Sequence, residues 1–435
     1  MRPLFRSVHG GETVPMCSLP TVRPMDRRQF LKASALVGGV VAGGGLLNAC
    51  GTSSGDSTTT GTGGGGKDAV KLGFIALTDC APLIIAKERG FFAERGLDVT
   101  LEKQASWPAT RDALLNNQID GAHCLFSMPL SVATNIGGQG SKALKIAMVL
   151  NNNGQAITLA NDLADAGYGD LAKAKAAFEK KGAASLGMTF PGGTHDTWLR
   201  YWLKAAKIDT ANLKIDPIPP PQMVQNMKVG NVSGYCVGEP WNAVAVKENI
   251  GFTHIATQDI WEFHPEKALV VGEKFAAERK DVLKRVMAAT LQACKWLDDP
   301  ANRAEAAKII GVNAYVNAPA EEIQGRLTGQ YNLGANLGSK TFEGTQMQFF
   351  RDGKVTMPRP AHAIWFLAQY QRFGLAKSAP DYKAIVDSII LGDLYAEVAK
   401  AEGIALPDDA MKPFDVKLDN ITFDPAKPDQ EASRT

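Results

Sequence analysis

The sequence predicts an α/β fold in two lobes, with helical additions toward the C-terminal end. Three observations carry this. Four short apolar segments each turn through small polar residues into a helix, the alternation expected of strands feeding helices. From Lys274 the texture changes to long helices: Lys274 to Asp298, Asn302 to Ile310, Pro319 to Tyr331, Phe349 to Phe350, Ala361 to Phe373 and Tyr382 to Ala399. Finally, about 370 residues follow position 67, more than one core of roughly 100–200 residues holds, so two lobes are expected.

Residues 1–49 read as a signal segment. Met25 to Gly51 is MDRRQFLKASALVGGVVAGGGLLNACG: twin arginines, a short uncharged run, then Leu47-Asn48-Ala49-Cys50-Gly51. The run from Ala33 to Ala49 is rich in Gly and Ala, whereas a spanning helix wants about 20 strongly apolar residues. The pattern resembles a bacterial twin-arginine export signal fused to a lipoprotein box, which implies cleavage and lipid attachment at Cys50. Residues 1–24 fit no part of it, and a start at Met25 is expected.

Residues 50–67 form the tether: after Cys50 the chain reads GTSSGDSTTTGTGGGGK (51–67), a Gly/Ser/Thr stretch too polar to pack. The body is then divided into a first lobe over 68–150, a second over 151–270, a return to the first with C-terminal helices over 271–405, and an extended Pro- and Asp-rich tail over 406–435.

Composition narrows the partners. The first 49 residues hold six basic and two acidic side chains, leaving 41 Lys plus Arg against 43 Asp plus Glu, net −2. No clustered basic face for nucleic acid is expected, and any anion selectivity is local to a pocket. Of six cysteines, Cys17 and Cys50 fall in the leader. Cys80, Cys124, Cys236 and Cys294 have no metal-like spacing; they read as buried thiols, with a disulfide allowed by an oxidising compartment.

The four corners come in order. Lys71–Leu77 leads through Thr78-Asp79-Cys80-Ala81-Pro82 to a helix ending near Phe92, and Gly121–Phe126 leads through Ser127-Met128-Pro129 to a helix over Leu130–Ile136. Ser185–Phe190 leads through Pro191-Gly192-Gly193-Thr194-His195-Asp196 to Thr197–Ala206, and Val232–Val237 through Gly238-Glu239-Pro240 to Trp241–Lys247. Between them run amphipathic helices over Ala109–Asn116, Leu171–Lys180 and Met223–Val229. Thr, Asp and Ser at the corners read as helix caps, and Pro tolerates a first turn. The corners are thus helix N-termini at strand carboxyl ends, where open α/β sheets bind ligands and free amides favour anions.

The stretch GFIALTDCAPLIIAKERGFFAERGLDV, residues 73–99, resembles the opening of periplasmic substrate-binding proteins of ABC importers, in the branch for small anions and sulfonates. Ala105-Ser106-Trp107, DGAHCLFSMPL (120–130), NNNGQAITL around Gln155, PGGTHDTWLRYWL (191–203), YCVGEPWNAVA (235–245) and HPEKALVV (264–271) together resemble the nitrate/bicarbonate-binding subfamily. The resemblance covers most of residues 70–375. It implies a two-lobed, type II periplasmic-binding-protein fold closing over an anion, with Trp107, Gln155, His195 and Lys267 at pocket positions.

The chemistry suits that role. A buried monovalent oxyanion needs donors and one compensating cation, since an unpaired buried charge costs several kcal/mol, on the order of 5 or more. Lys267 supplies the cation, His195 and Gln155 donors, and Trp107 an indole N–H or a wall against water. Taken singly, Trp107 is a core tryptophan and Lys267 a solvated lysine; the resemblance gives them their roles. Asp79, Asp196 and Glu239 read as caps, because carboxylates repel an anion, and Asp79, Gly193, Asp196, Gly238 and Glu239 as residues supporting the pocket from behind. The bicarbonate-binding branch carries an acidic residue at the position of Lys267 and recruits a divalent cation. The lysine therefore implies nitrate or nitrite, with neither metal nor cofactor.

The expected protein is a lipid-anchored, exported monomer that captures nitrate or nitrite, works by hinge closure, and delivers to an ABC permease and its ATPase without touching nucleic acid. Bicarbonate, cyanate and alkylsulfonates are competing ligands. An enzyme of thiamin-precursor synthesis shares the fold, as does a nitrate-sensing regulator that partners an RNA-binding antiterminator. Export argues against both; the chain has no HExxH or Walker loop, and its G-x-S-x-G match, Gly51 to Gly55, falls in the Gly/Ser/Thr tether.

Overall fold

Two five-stranded mixed sheets organise the chain, and they are built on one plan. The computed structural model describes residues 67–138 and 144–434; the signal segment, Cys50 and the tether lie outside the described residues. Strands β1 (Asp68–Phe74), β2 (Leu97–Lys103), β3 (Gly121–Leu125) and β4 (Leu144–Asn152) precede β5 (Gln155–Ala160), β6 (Ala184–Met188), β7 (Leu213–Pro217), β8 (Gly234–Gly238), β9 (Gly251–Ala256) and β10 (Pro265–Gly272).

The first sheet has the order β2-β1-β3-β10-β4, the second β7-β6-β8-β5-β9. In each, four of the five strands run parallel to one another and one is antiparallel to both its neighbours: β10 between β3 and β4, β5 between β8 and β9. The chain passes between sheets twice, through Asn153–Gly154 and through Thr257–His264. Asparagines lace the two passages: Asn152 Nδ2 donates to His264 O at 3.0 Å, and Asn153 N donates to the same carbonyl at 3.2 Å. Residues 265–270, given to the second lobe by sequence, thus belong to the first sheet.

The fold class agrees with the sequence, including the C-terminal helices. Helix Lys280–Asp298 buries Val282, Leu283, Val286 and Leu297 in one core shared with β1, β10 and helix Ala81–Glu88. Each fully buried leucine there contributes about 1.5–3 kcal/mol. Several predicted helices are interrupted. Lys274–Asp298 breaks at Arg279, whose guanidinium donates to Ala69 O at 2.9 Å. Tyr382–Ala399 breaks at Ile390–Leu391, because Leu391 N pairs with Ile146 O at the edge of β4 instead of continuing the helix. Pro319–Tyr331 is helical only to Leu327, and 349–350 lies outside any helix. The tail adds a hairpin, Phe414–Val416 with Ile421–Phe423, that stacks Phe414 on Trp261 at 4.2 Å.

Helix entry also differs from expectation. Side-chain caps close helices Trp107–Leu115 (Ser106), Leu171–Lys181 (Asp170) and Tyr382–Ile389 (Asp381). None of the four corner helices takes a side-chain bond from its N-cap residue. Cys80, Cys124, Cys236 and Cys294 are buried and free.

Candidate functional site

The corners sit at the carboxyl ends of β1, β3, β6 and β8, and they meet. Thr78 N donates to Glu239 O at 2.7 Å and Trp241 Nε1 to Ala76 O at 2.9 Å, joining the β1 and β8 corners. Ser127 Oγ donates to Gly192 O at 3.1 Å and Ser131 Oγ to Pro191 O at 2.6 Å, joining the β3 and β6 corners. Two glycines permit this approach. A Cβ on Gly238 would lie 3.3 Å from Leu77 and 3.4 Å from Asp79, and one on Gly193 would lie 2.8 Å from Leu125.

Between the corners lies a fully buried polar cluster. Trp107, Gln155, His195 and Lys267 are each 0% exposed. Lys267 Nζ lies 2.7 Å from Asp79 Oδ2 and in contact with Glu266 Oε1. His123 Nε2 bonds Asp79 Oδ1 at 2.7 Å. From Glu266 the network runs to Thr194 Oγ1 (3.0 Å) and on to Gln155 Nε2 (3.2 Å), with His195 Nε2 at 3.7 Å from the same carboxylate. Trp107 stands with its ring 5.8 Å from Lys267 Nζ and 5.6 Å from the His123 ring.

Electrostatics follow from burial and pairing. Burial raises the Asp79 carboxyl, but Lys267 and His123 overrule it and hold it down at about 2. Burial pushes Glu266 up to about 7 against the pull of Lys267. Lys267 stays above the usual lysine range, because Asp79 and Glu266 outweigh its desolvation. Burial, reinforced by Lys267, drives His195 well below the usual imidazole value, so it is neutral. Its Nδ1 is bonded to Thr189 Oγ1 at 2.5 Å, leaving Nε2 free toward the cluster. Trp107 Nε1, Gln155 Oε1 and Glu266 Oε2 are likewise buried without a partner. One ammonium, neutral donors and unspent polar atoms, all buried together, are the groups that would suit a small polar guest.

A model of the NMT1-like family matches residues 63–311. The chain belongs to that family. It is 39% identical to the nitrate/nitrite binding protein NrtA of Synechococcus elongatus, over 93% of this chain and 96% of that one. It is 31% identical to the bicarbonate-binding protein CmpA of the same organism, again over 93% and 96%. The crystal structure of the periplasmic nitrate-binding protein NrtA from Synechocystis superposes with a TM-score of 0.81 at 36% identity, covering 84% of this chain and 98% of that one.

In this NMT1-like chain the four sequence-predicted pocket residues come together, each from a different element. Trp107 opens a helix after Ser106, Gln155 begins β5 opposite Gly238, His195 lies in the first turn of helix Thr194–Ala205, and Lys267 is on β10 opposite Leu125. His195 is thus helical, because that helix starts at Thr194 and not at Thr197.

The expected supporting residues divide. Asp196 accepts from Gly192 N at 2.8 Å and Arg200 Nε at 2.7 Å, fixing the β6 corner. Glu239 accepts from Ala243 N at 3.3 Å, as a cap would, and lies 3.1 Å from Arg326. Asp79 is not a cap; it is the counter-charge of Lys267.

Glu266 and Thr194 were missed as cluster members. Neighbours on a strand ordinarily face opposite ways. The register shifts around Lys267 in the β10–β4 ladder are a bulge, and a bulge re-aims side chains so that 266 and 267 touch. Nothing in HPEK announces that irregularity.

Proposed function

We propose that the protein is an exported, non-enzymatic binding component that encloses nitrate or nitrite between its two sheet-centred halves and delivers it to an ABC permease and ATPase. The observation that carries this is a fully buried Lys267 among partnerless polar atoms of Trp107, His195 and Gln155, in a chain 39% identical to a nitrate/nitrite binding protein along nearly its whole length. Trp107, Gln155, His195 and Lys267 are the ligand-binding residues; the anion's charge meets the ammonium, and the neutral donors fill the rest of its coordination. Asp79, Gly193, Asp196, Gly238 and Glu239 support them. The hinge is the pair of passages at 153–154 and 257–264, and ligand stabilises the closed form through contacts with both halves.

The leader sequence supports lipid attachment at Cys50, with the tether spacing a monomeric body from the membrane. Calorimetry on the purified protein tests the ligand. Saturable heat with nitrate or nitrite, unaffected by calcium, is expected. Heat only with bicarbonate plus calcium would transfer the protein to the bicarbonate branch, and heat only with cyanate or an alkylsulfonate would replace the ligand.

A further inference from the structure

We propose that the cleft closes on its anion together with one proton, which settles on Glu266, so that Glu266 Oε2 becomes an O–H donor to the ligand. This rests on the anion-binding reading and deepens it: anion capture by this protein consumes a proton from solvent.

The first ground is charge. The cluster joins two carboxylates, Asp79 and Glu266, to one ammonium, Lys267, and all three are fully buried. With both carboxylates ionised and the imidazoles neutral, the group is net negative before any anion enters. A further buried negative charge, uncompensated, is strongly disfavoured. Protonating Glu266 removes one charge at a carboxylate that still has an unpartnered oxygen. Asp79 cannot serve, since both its oxygens are held, by Lys267 and by His123.

The second ground is hydrogen bonding. Glu266 Oε1 is occupied by Lys267 Nζ and by the Thr194 hydroxyl at 3.0 Å. Oε2 is buried without a hydrogen-bond partner, with His264 Nδ1 4.0 Å away. An ionised carboxylate only accepts, so a free Oε2 would face an anion acceptor to acceptor; the protonated form donates. It would join Trp107 Nε1 and His195 Nε2, two other buried nitrogens without partners.

The groups around Glu266 point the same way. From its own strand there is Lys267; from the turn after β1, Asp79; from β8, Cys236; from helix Thr194–Ala205, His195; and from the second passage, His264. His123 on β3 stands behind Asp79. Burial holds the three imidazoles below their ordinary value and the thiol well above its own, so Lys267 and Asp79 are the charged neighbours. Burial lifts Glu266 to about 7, with Lys267 opposing and Asp79 assisting, and an entering anion shifts it further in the same direction.

The test is nitrate calorimetry on the wild-type protein at pH 8, in buffers of different ionisation enthalpy. Uptake of about one proton per nitrate is expected, with the apparent Kd rising about tenfold per pH unit above the Glu266 pKa of the free protein. Glu266→Gln replaces the protonated acid with a neutral donor, and should bind nitrate with no proton uptake and little pH dependence. Should that variant not fold, difference infrared spectra of the wild type should show a protonated carboxyl stretch appearing with nitrate. Identical wild-type heats in every buffer would overturn the proposal while leaving nitrate binding intact. Uptake persisting in Glu266→Gln would move the proton to an imidazole and likewise overturn it. Absence of nitrate binding at any pH would remove the parent reading as well.

Discussion

Lys267 Nζ and Asp79 Oδ2 form a 2.7 Å ion pair, with no solvent exposure on either side chain, between the bulged strand β10 and the turn that follows β1. Because Asp79 also takes His123 Nε2 at 2.7 Å, this carboxylate fixes the ammonium from behind. Its folded-state pKa is depressed to about 2, so its contribution to stability is complete above the unfolded carboxyl value and is lost as pH falls through about 2. Asp79→Asn removes one partner of a buried pair, which typically costs about 3–5 kcal/mol. Glu266 still touches Lys267, so a loss near about 3 kcal/mol at pH 7 is expected in denaturant unfolding. The variant should also lose less stability than wild type between pH 4 and pH 2; an acid limb as steep as wild type's would show that Asp79 is not the titrating group.

Replacing the cation itself tests the ligand assignment. Lys267→Glu puts a third carboxylate beside Asp79 and Glu266 in a fully buried site, and nitrate affinity should collapse beyond detection in calorimetry. Lys267→Gln keeps a donor and removes the charge. A hydrogen bond to a charged group is worth about 1.5–3 kcal/mol, so Kd should rise roughly 10–150-fold. Unchanged nitrate affinity in Lys267→Gln would mean that the anion does not meet this side chain.

Much of this arrangement was legible in the sequence, for identifiable reasons. Strand-to-helix corners are local events: the apolar run, the small residues and the early proline at Ala81-Pro82 or Met128-Pro129 lie within a few positions of one another. The four residues expected in the pocket came from the family resemblance, and the structure buries all of them in one cluster. What local pattern could not supply was long-range. The antiparallel strand β10 belongs to the first sheet because it pairs with β3 and β4, over 100 residues earlier. Likewise, Asp79 reads locally as a cap, and only the partner 188 positions away makes it a counter-charge.

Trp107 offers a finer probe. Its indole is fully buried, its ring faces Lys267 Nζ at 5.8 Å, and its Nε1 has no partner. Trp107→Phe keeps an aromatic wall and deletes the N–H alone. If that N–H binds the anion, nitrate Kd should rise roughly tenfold or more, the equivalent of about 1.5 kcal/mol, while the thermal midpoint moves little. A stability loss with unaltered affinity would return Trp107 to a core role.

Closure can be tested at a position where the two halves meet. Gly238 ends β8 in one half, while the atoms nearest a Cβ there, Leu77 Cδ2 at 3.3 Å and Asp79 Oδ2 at 3.4 Å, belong to the other. A Cβ there meets atoms of the other half first, so a branched side chain obstructs contact between the halves. Gly238→Val should weaken nitrate binding by roughly tenfold or more, because binding energy is spent forcing the halves together. The ligand-free thermal midpoint should change little, and nitrate should no longer reduce the radius of gyration measured by small-angle X-ray scattering. A variant that still contracts on nitrate with wild-type affinity would show that the approach of the β1 and β8 corners is not part of the binding step.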